Sequence, residues 1–155
     1  MPSTVASPAP ASLARAPGIA QLCIAYATMV VASSSLEAIW YLGIAEDIYQ
    51  QQIGSLLNAQ FDLPTAVLFY LVYALGALVF AVRPALQAGS WTKALRAGAM
   101  YGFFCFSAHN LTDLADVRGF TARIAGIDIA WGVSMSATAA TLSCLAARRL
   151  ARARA

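Results

Sequence analysis

Four long stretches without a formal charge constrain this chain more than any motif does: Ala16–Leu36, Leu63–Val82, Ala97–Thr112 and Ile129–Ala147. A helix of about 20 apolar residues, rising about 1.5 Å per residue, matches the hydrocarbon thickness of a bilayer. The charges between the runs are sorted. Arg15, Arg83, Lys93, Arg96, Arg148, Arg149, Arg152 and Arg154 fall at one set of ends. Glu37, Glu46, Asp47, Asp62, Asp113, Asp116 and Asp128 fall at the other set, accompanied only by Arg118 and Arg123. Basic residues gather on the cytoplasmic side of membrane proteins, so the partition orients the chain with both termini cytoplasmic.

Composition agrees. Only 11% of the residues are charged and 60% are hydrophobic, whereas a soluble domain carries about 25% charged residues. The net charge of +3 is a local excess on the basic ends, suited to a rim beside anionic headgroups, and does not imply nucleic-acid binding. Cys23, Cys105 and Cys144 lie inside apolar runs, which argues against a disulfide framework. No Gly-rich phosphate loop, HExxH or CxxC occurs.

The expected architecture is all-α: a four-helix transmembrane bundle, multi-pass. A flexible tail at 1–18 precedes a membrane domain at 19–146, with helices at about 19–42, 64–83, 94–113 and 122–146. A basic cytoplasmic tail at 147–155 follows. Met1–Pro17 holds four of the six prolines, which keeps a helix from starting early. The first apolar run exceeds the roughly 7–15 residues of a signal-peptide core, so a retained anchor is favoured over a cleaved leader. Pro64 suits a first helical turn. The third helix is the weakest span, because its run contains His109 and Asn110. In the first outer loop, Ile44, Ile48, Ile53, Leu56 and Leu57 oppose Glu46, Asp47, Gln50 and Gln51. That pattern predicts a short amphipathic segment lying on the membrane surface.

Small residues mark the expected packing faces. Gly98 and Gly102 form a GxxxG pair, and Gly132, Ser136 and Ala140 repeat at four-residue spacing. Such faces let helices approach closely, within one bundle or in a homo-oligomer.

Helix direction converts sequence position into depth. Glu37, His109 and Asp128 all fall roughly 6–9 Å below the outer boundary at 1.5 Å per residue. Asn110, Asp113, Trp40 and Trp131 lie at similar levels, with Tyr70 facing them from the second helix. His109 and Asp113 are spaced i, i+4 and share a face. Ionisable groups within a bilayer are functional candidates by default. The expected site is therefore an outward-facing polar pocket of Glu37, Trp40, Tyr70, His109, Asn110, Asp113, Asp128 and Trp131. If it is catalytic, Glu37 or Asp128 is the proton acceptor and His109 its partner; a structural hydrogen-bond clamp is the competing use. A single histidine gives no metal site, and no cofactor is expected.

Longer segments carry a resemblance. Glu37-Ala-Ile-Trp40-Tyr-Leu-Gly43, Leu68-Phe-Tyr-Leu-Val-Tyr-Ala-Leu-Gly76, Tyr101-Gly-Phe103, Asn110-Leu-Thr-Asp-Leu-Ala115 and Ile127-Asp-Ile-Ala-Trp-Gly132 are the main ones. The chain resembles, over about residues 36–132, the bacterial membrane-protein family catalogued as domain of unknown function 2177. The resemblance implies a four-helix inner-membrane protein with no established activity. Where that family usually has Tyr-Asp-Leu-Thr-Asn, this chain has His109-Asn110-Leu-Thr112-Asp113, and Glu37 stands where an Asp is usual. By the same resemblance Asp128 is the best-preserved member of the cluster. The function class expected first is binding or handling of a lipid or apolar molecule, with membrane lipids as partners. The alternatives are a subunit of an oligomeric transporter or channel, or an assembly protein without catalysis.

Overall fold

A computed structural model describes residues 16–45 and 62–153. Helix α1 spans Ile19–Trp40 and continues through a π turn at Tyr41–Ala45. Helix α2 runs from Leu63 through a π turn at Leu78–Val82 to Gln87. Helix α3 spans Trp91–Asp116 and α4 spans Ala122–Ala153. The described residues form no strand. Ile19–Gly43, Leu63–Gln87 and Ala122–Ala153 are each long and apolar enough to cross a membrane. Helix α3 has the length, 26 residues, but carries Lys93, Arg96, His109, Asn110, Asp113 and Asp116. Its place in the bundle comes from packing against α4.

The helix limits follow local chemistry. Asp62 caps α2: its carboxylate accepts from Thr65 N–H at 3.2 Å and from the Thr65 hydroxyl at 2.6 Å. Pro64 occupies the first turn, where its missing N–H costs nothing. Further along, Arg83 N–H reaches back five residues to Leu78 O. Pro84 follows, and its ring would crowd a carbonyl four residues behind; a widened turn relieves that contact. Helix α2 then closes on Gly89 at φ 61°. Gly89 N–H bonds Leu86 O and Ser90 N–H bonds Ala85 O, each at 3.1 Å, a Schellman end that calls for a left-handed residue. Ser90 starts the next helix by accepting from Lys93 N–H at 3.3 Å.

Helix α4 continues to Ala153, beyond the expected end near 146, so Arg148, Arg149 and Arg152 belong to the helix and not to a separate tail. Arginine is a good helix former, and cations at a helix C-terminus complement its dipole. The amphipathic segment expected between α1 and α2 lies mostly outside the described residues, as do residues 1–15.

The helices alternate in direction. At the basic end, Gln21 of α1 donates its side-chain N–H to Ala147 O of α4 at 3.5 Å. Two alanine-rich clusters make the core. Ala25, Leu78, Ala81, Val82, Ala85, Ala94, Ala140, Cys144 and Ala147 fill the basic half. Met29, Tyr73, Ala74, Ala77, Met135 and Ala139 fill the middle. Large side chains point outward, with Phe80 71% and Val31 65% exposed, an arrangement suited to lipid and not to water.

The most extensive helix contact is between α3 and α4. Ala94, Gly98, Gly102 and Asn110 are buried on α3, with Phe106 partly buried between the last two. Asp128, Gly132, Ser136, Ala140 and Cys144 are buried on α4. Both stripes repeat every four residues and run in opposite directions. A Cβ on Gly98 would lie 2.7 Å from Ala140 Cβ and 2.7 Å from Ser136 O. One on Gly102 would meet Ser136 Oγ and Gly132 O, and one on Gly132 would meet the Phe106 ring. Close approach at these positions therefore requires glycine.

Two predictions follow from this packing and capping. Gly98→Ala should destabilise the bundle by about 1–3 kcal/mol through overpacking. Gly126→Ala, at a position open to 4 Å, should be neutral or gain up to about 1 kcal/mol from helix propensity. Unfolding of the two variants in mild detergent checks the contrast. At Asp62, which is solvent-exposed, hydrogen bonds from the Thr65 hydroxyl and then Thr65 N–H hold the carboxyl below its ordinary value. Its capping contribution is then complete above the ordinary carboxylate range and is lost as pH falls through the lowered value. Asp62→Ala should lower thermal stability at neutral pH, and the difference from wild type should vanish in strong acid.

Candidate functional site

Two acid-x-x-Trp segments build the centre of the site. Glu37-Ala-Ile-Trp40 ends α1, and Asp128-Ile-Ala-Trp131 lies near the start of α4. Spacing of i, i+3 puts acid and indole on one face of each helix. The helices are antiparallel, so the two pairs meet at the acidic end of the bundle. Trp40 and Trp131 stack with ring centroids 4.7 Å apart and planes 9° from parallel. Trp131 Nε1–H donates to Glu37 Oε2 at 2.9 Å. The reciprocal bond is missing: Trp40 Nε1 is buried without a partner.

Asp128 is engaged from the other side. Asn110 of α3 donates its amide N–H to Asp128 Oδ2 at 2.8 Å and to its own helix at Phe106 O at 3.0 Å. Asn110 is completely buried and Asp128 is 8% exposed. With both amide hydrogens committed, Asn110 Oδ1 is left buried and unpaired. An unmet buried acceptor costs about 1–3 kcal/mol, so it is unusual in a finished structure.

His109 stands apart. Its Nε2 lies 3.3 Å from Asp113 Oδ2, and the side chains are 69% and 28% exposed. The residues expected to share one pocket thus form two groups in the structure. Glu37, Trp40, Asn110, Asp128 and Trp131 converge between α1, α3 and α4, whereas His109 and Asp113 pair on the outer face of α3. The reason is the four-residue contact repeat. On a 3.6-residue helix such a stripe drifts by about 40° per step. Starting from Gly98 and Gly102, it arrives at Phe106 and Asn110 and leaves His109 outside, although the i, i+4 pairing within α3 forms as its spacing dictates.

Helix α2 closes a third side. Tyr70 is half-buried and within electrostatic reach of the Glu37 carboxyl. One turn deeper, Tyr73 is 5% exposed, and its hydroxyl lies 2.5 Å from Ser136 Oγ. Ser136 in turn donates to Gly132 O. Tyr101 donates its hydroxyl to Tyr73 O at 3.1 Å, and its ring lies 5.2 Å from that of Tyr73. Phe106 packs edge-on against Tyr73 at 6.4 Å. These side chains form a floor beneath the polar cluster. Sequence reading passed over Tyr101 and Phe106 because each sits in an apolar run like any lipid-facing aromatic. The repeated acid-x-x-Trp spacing was the available signal for the indole stack.

Above that floor the described parts of α2 and α3 separate. The backbone of α3 approaches α2 along Leu78–Gln87, while the Leu63–Ala77 part of α2 rests on α1. The polar cluster therefore lies at the head of a wedge between α2 and α3, with Phe69, which is exposed and stacks on Tyr73, on its α2 edge. Among the described residues no group of three or more His, Cys, Asp or Glu is arranged to hold a metal, and their one ion pair joins His109 to Asp113. Two carboxyl groups, Glu37 and Asp128, are thus close enough to interact electrostatically with no cation paired to either.

Substitutions of Glu37 should report the worth of its bond to Trp131. Glu37→Ala leaves Trp131 Nε1 without an acceptor and should cost about 1–3 kcal/mol, whereas Glu37→Gln keeps an acceptor oxygen and should cost less than about 1 kcal/mol. The near-ultraviolet dichroism of the stacked indoles, followed through thermal unfolding, reports both effects.

A family described as predicted membrane protein (DUF2177) matches residues 22–145. No curated protein and no solved structure matches the chain.

Proposed function

The chain belongs to that family of membrane proteins, and on this premise we propose that it binds an amphiphilic molecule, drawn from the bilayer, at the Glu37–Asn110–Asp128 cluster. On this reading it is a multi-pass protein of the inner membrane, with its basic end cytoplasmic and its acidic end outward. The charge partition supports this orientation: Arg83, Lys93, Arg96, Arg148, Arg149 and Arg152 gather at one end of the bundle.

One observation carries the binding reading. The buried Asn110 Oδ1 has no partner, although it sits beside a carboxyl to which the same amide is already bonded. A clamp whose only purpose was to lock helices would be expected to satisfy its buried atoms. The wedge between α2 and α3 supports the choice of ligand. It gives a molecule arriving from the lipid a polar end at the cluster and an apolar edge at Phe69. Gly98 and Gly102, the residues that most suited a homodimer, are occupied by α4, which weakens the oligomeric-transporter alternative.

Mass spectrometry of an organic extract of the purified protein tests the proposal. Wild type should carry a co-purifying amphiphile at about one molecule per chain, as a single pocket requires. Tyr70→Ala and Asp128→Asn should each reduce it several-fold while the fold, followed by circular dichroism, persists. Equal lipid content in the wild type and both folded variants would remove the cluster as the binding site.

A further inference from the structure

The unmet chemistry of the cluster specifies what the amphiphile presents to it. We infer that the Glu37–Asp128–Asn110 cluster is a recognition site for a primary ammonium group, carried on the head of the amphiphile; the inference rests on the binding reading above and adds the ligand class. Three features converge on it.

The first is the balance of donors and acceptors. Glu37 receives one donor, Trp131 Nε1, and Asp128 receives one donor, Asn110 Nδ2. A carboxyl group has two oxygens and room for several donors. Asn110 Oδ1 receives none. Against these open acceptor positions stands one unpaired N–H of the same cluster, that of Trp40. An ammonium group brings three donors and no acceptor, and so matches the deficit.

The second is charge. Glu37 and Asp128 lie on different helices at about the same depth, within each other's electrostatic influence, and none of the described cations pairs with either. The described arginines nearest in sequence, Arg118 and Arg123, lie on the loop after α3 and at the exposed start of α4. In a low-dielectric layer an acidic pair favours a bound cation and disfavours a phosphate or carboxylate head.

The third is the indole stack. Trp131 bonds the Glu37 carboxyl and stacks on Trp40. Aromatic faces attract cations and reject anions, an effect that strengthens where water is excluded. Asp128 is slightly exposed and Glu37 half-buried, while Asn110 is closed off. The two carboxyl groups are thus the more accessible acceptors of the cluster, and the Asn110 oxygen is the buried one. A free amine carries the same chemistry as a lipid head, so the experiment has an arm for each source.

The full chain bearing Trp91→Phe, which removes the indole at the far end of α3, is placed in phosphatidylcholine nanodiscs. The emission of Trp40 and Trp131 is followed during titration. Oleylamine, oleyl alcohol and oleic acid share one chain and differ only in the head; methylammonium chloride supplies the head alone. Oleylamine should saturate the response at about ten-fold lower concentration than the alcohol or the acid. Glu37→Gln combined with Asp128→Asn should erase that preference, and Gly126→Ala should leave it intact. If the double variant loses helical dichroism, the comparison of heads on the parent protein decides alone. A response to methylammonium equal to that of oleylamine upholds ammonium recognition and transfers it to a soluble amine, which overturns the amphiphile reading. Equal saturation by the three heads, still lost in Tyr70→Ala, overturns the ammonium inference and keeps the amphiphile reading. No response to any probe overturns both.

Discussion

The contact between α3 and α4 at Gly98, Gly102, Gly132 and Ser136 is what the remaining geometry depends on. Lipid tails are as apolar as leucine, so burying leucine drives nothing here. Association rests on dispersion at short range and on hydrogen bonds between helices. Backbone approach without intervening side chains brings both. The same ladder fixes each later contact: Ser136 against Tyr73, Gly132 against the Phe106 ring, and Asn110 against Asp128. A change of register in this seam would displace the polar cluster as a unit.

The cluster has an uneven symmetry. Two acid-x-x-Trp segments on antiparallel helices place their indoles face to face, and an even arrangement would give each indole N–H to the opposite acid. Only Trp131 makes that bond. Asp128 is taken instead by Asn110, and this third helix converts a two-helix clamp into a three-helix site with an unpaired buried oxygen. The unpaired oxygen of Asn110 is then the consequence of one substitution of partners. His109, the most conspicuous titratable side chain in the sequence, lies outside this arrangement.

Much of the fold was legible because it is local. Asp62 and Pro64 announce the start of α2, and Gly89 with Ser90 announces the turn into α3; both work through backbone groups a few residues away. Apolar run length gave the helices to within a turn at most ends. The extension of α4 through its arginines was less legible, since a charge-rich segment after a span suits a helix as well as a tail. The π turn before Pro84 required knowing that the chain stays helical across the proline. For the site, the common level of its residues along the bundle was legible from helix rise, and shared faces from spacing. The rotation of each helix about its axis was not.

By itself, then, the sequence determined an all-helical membrane protein, the sorting of its charges to two ends, and the common level along the bundle at which Glu37, Asn110 and Asp128 lie. Run length, capping chemistry and rise per residue act within one helix and need no partner. Tertiary structure alone decided that Asn110 and not His109 meets Asp128, that Trp131 and not Trp40 bonds Glu37, and that α2 leaves α3 above Leu78–Val82. Each of these depends on how two helices rotate and cross, and that is settled where glycine lets their backbones touch.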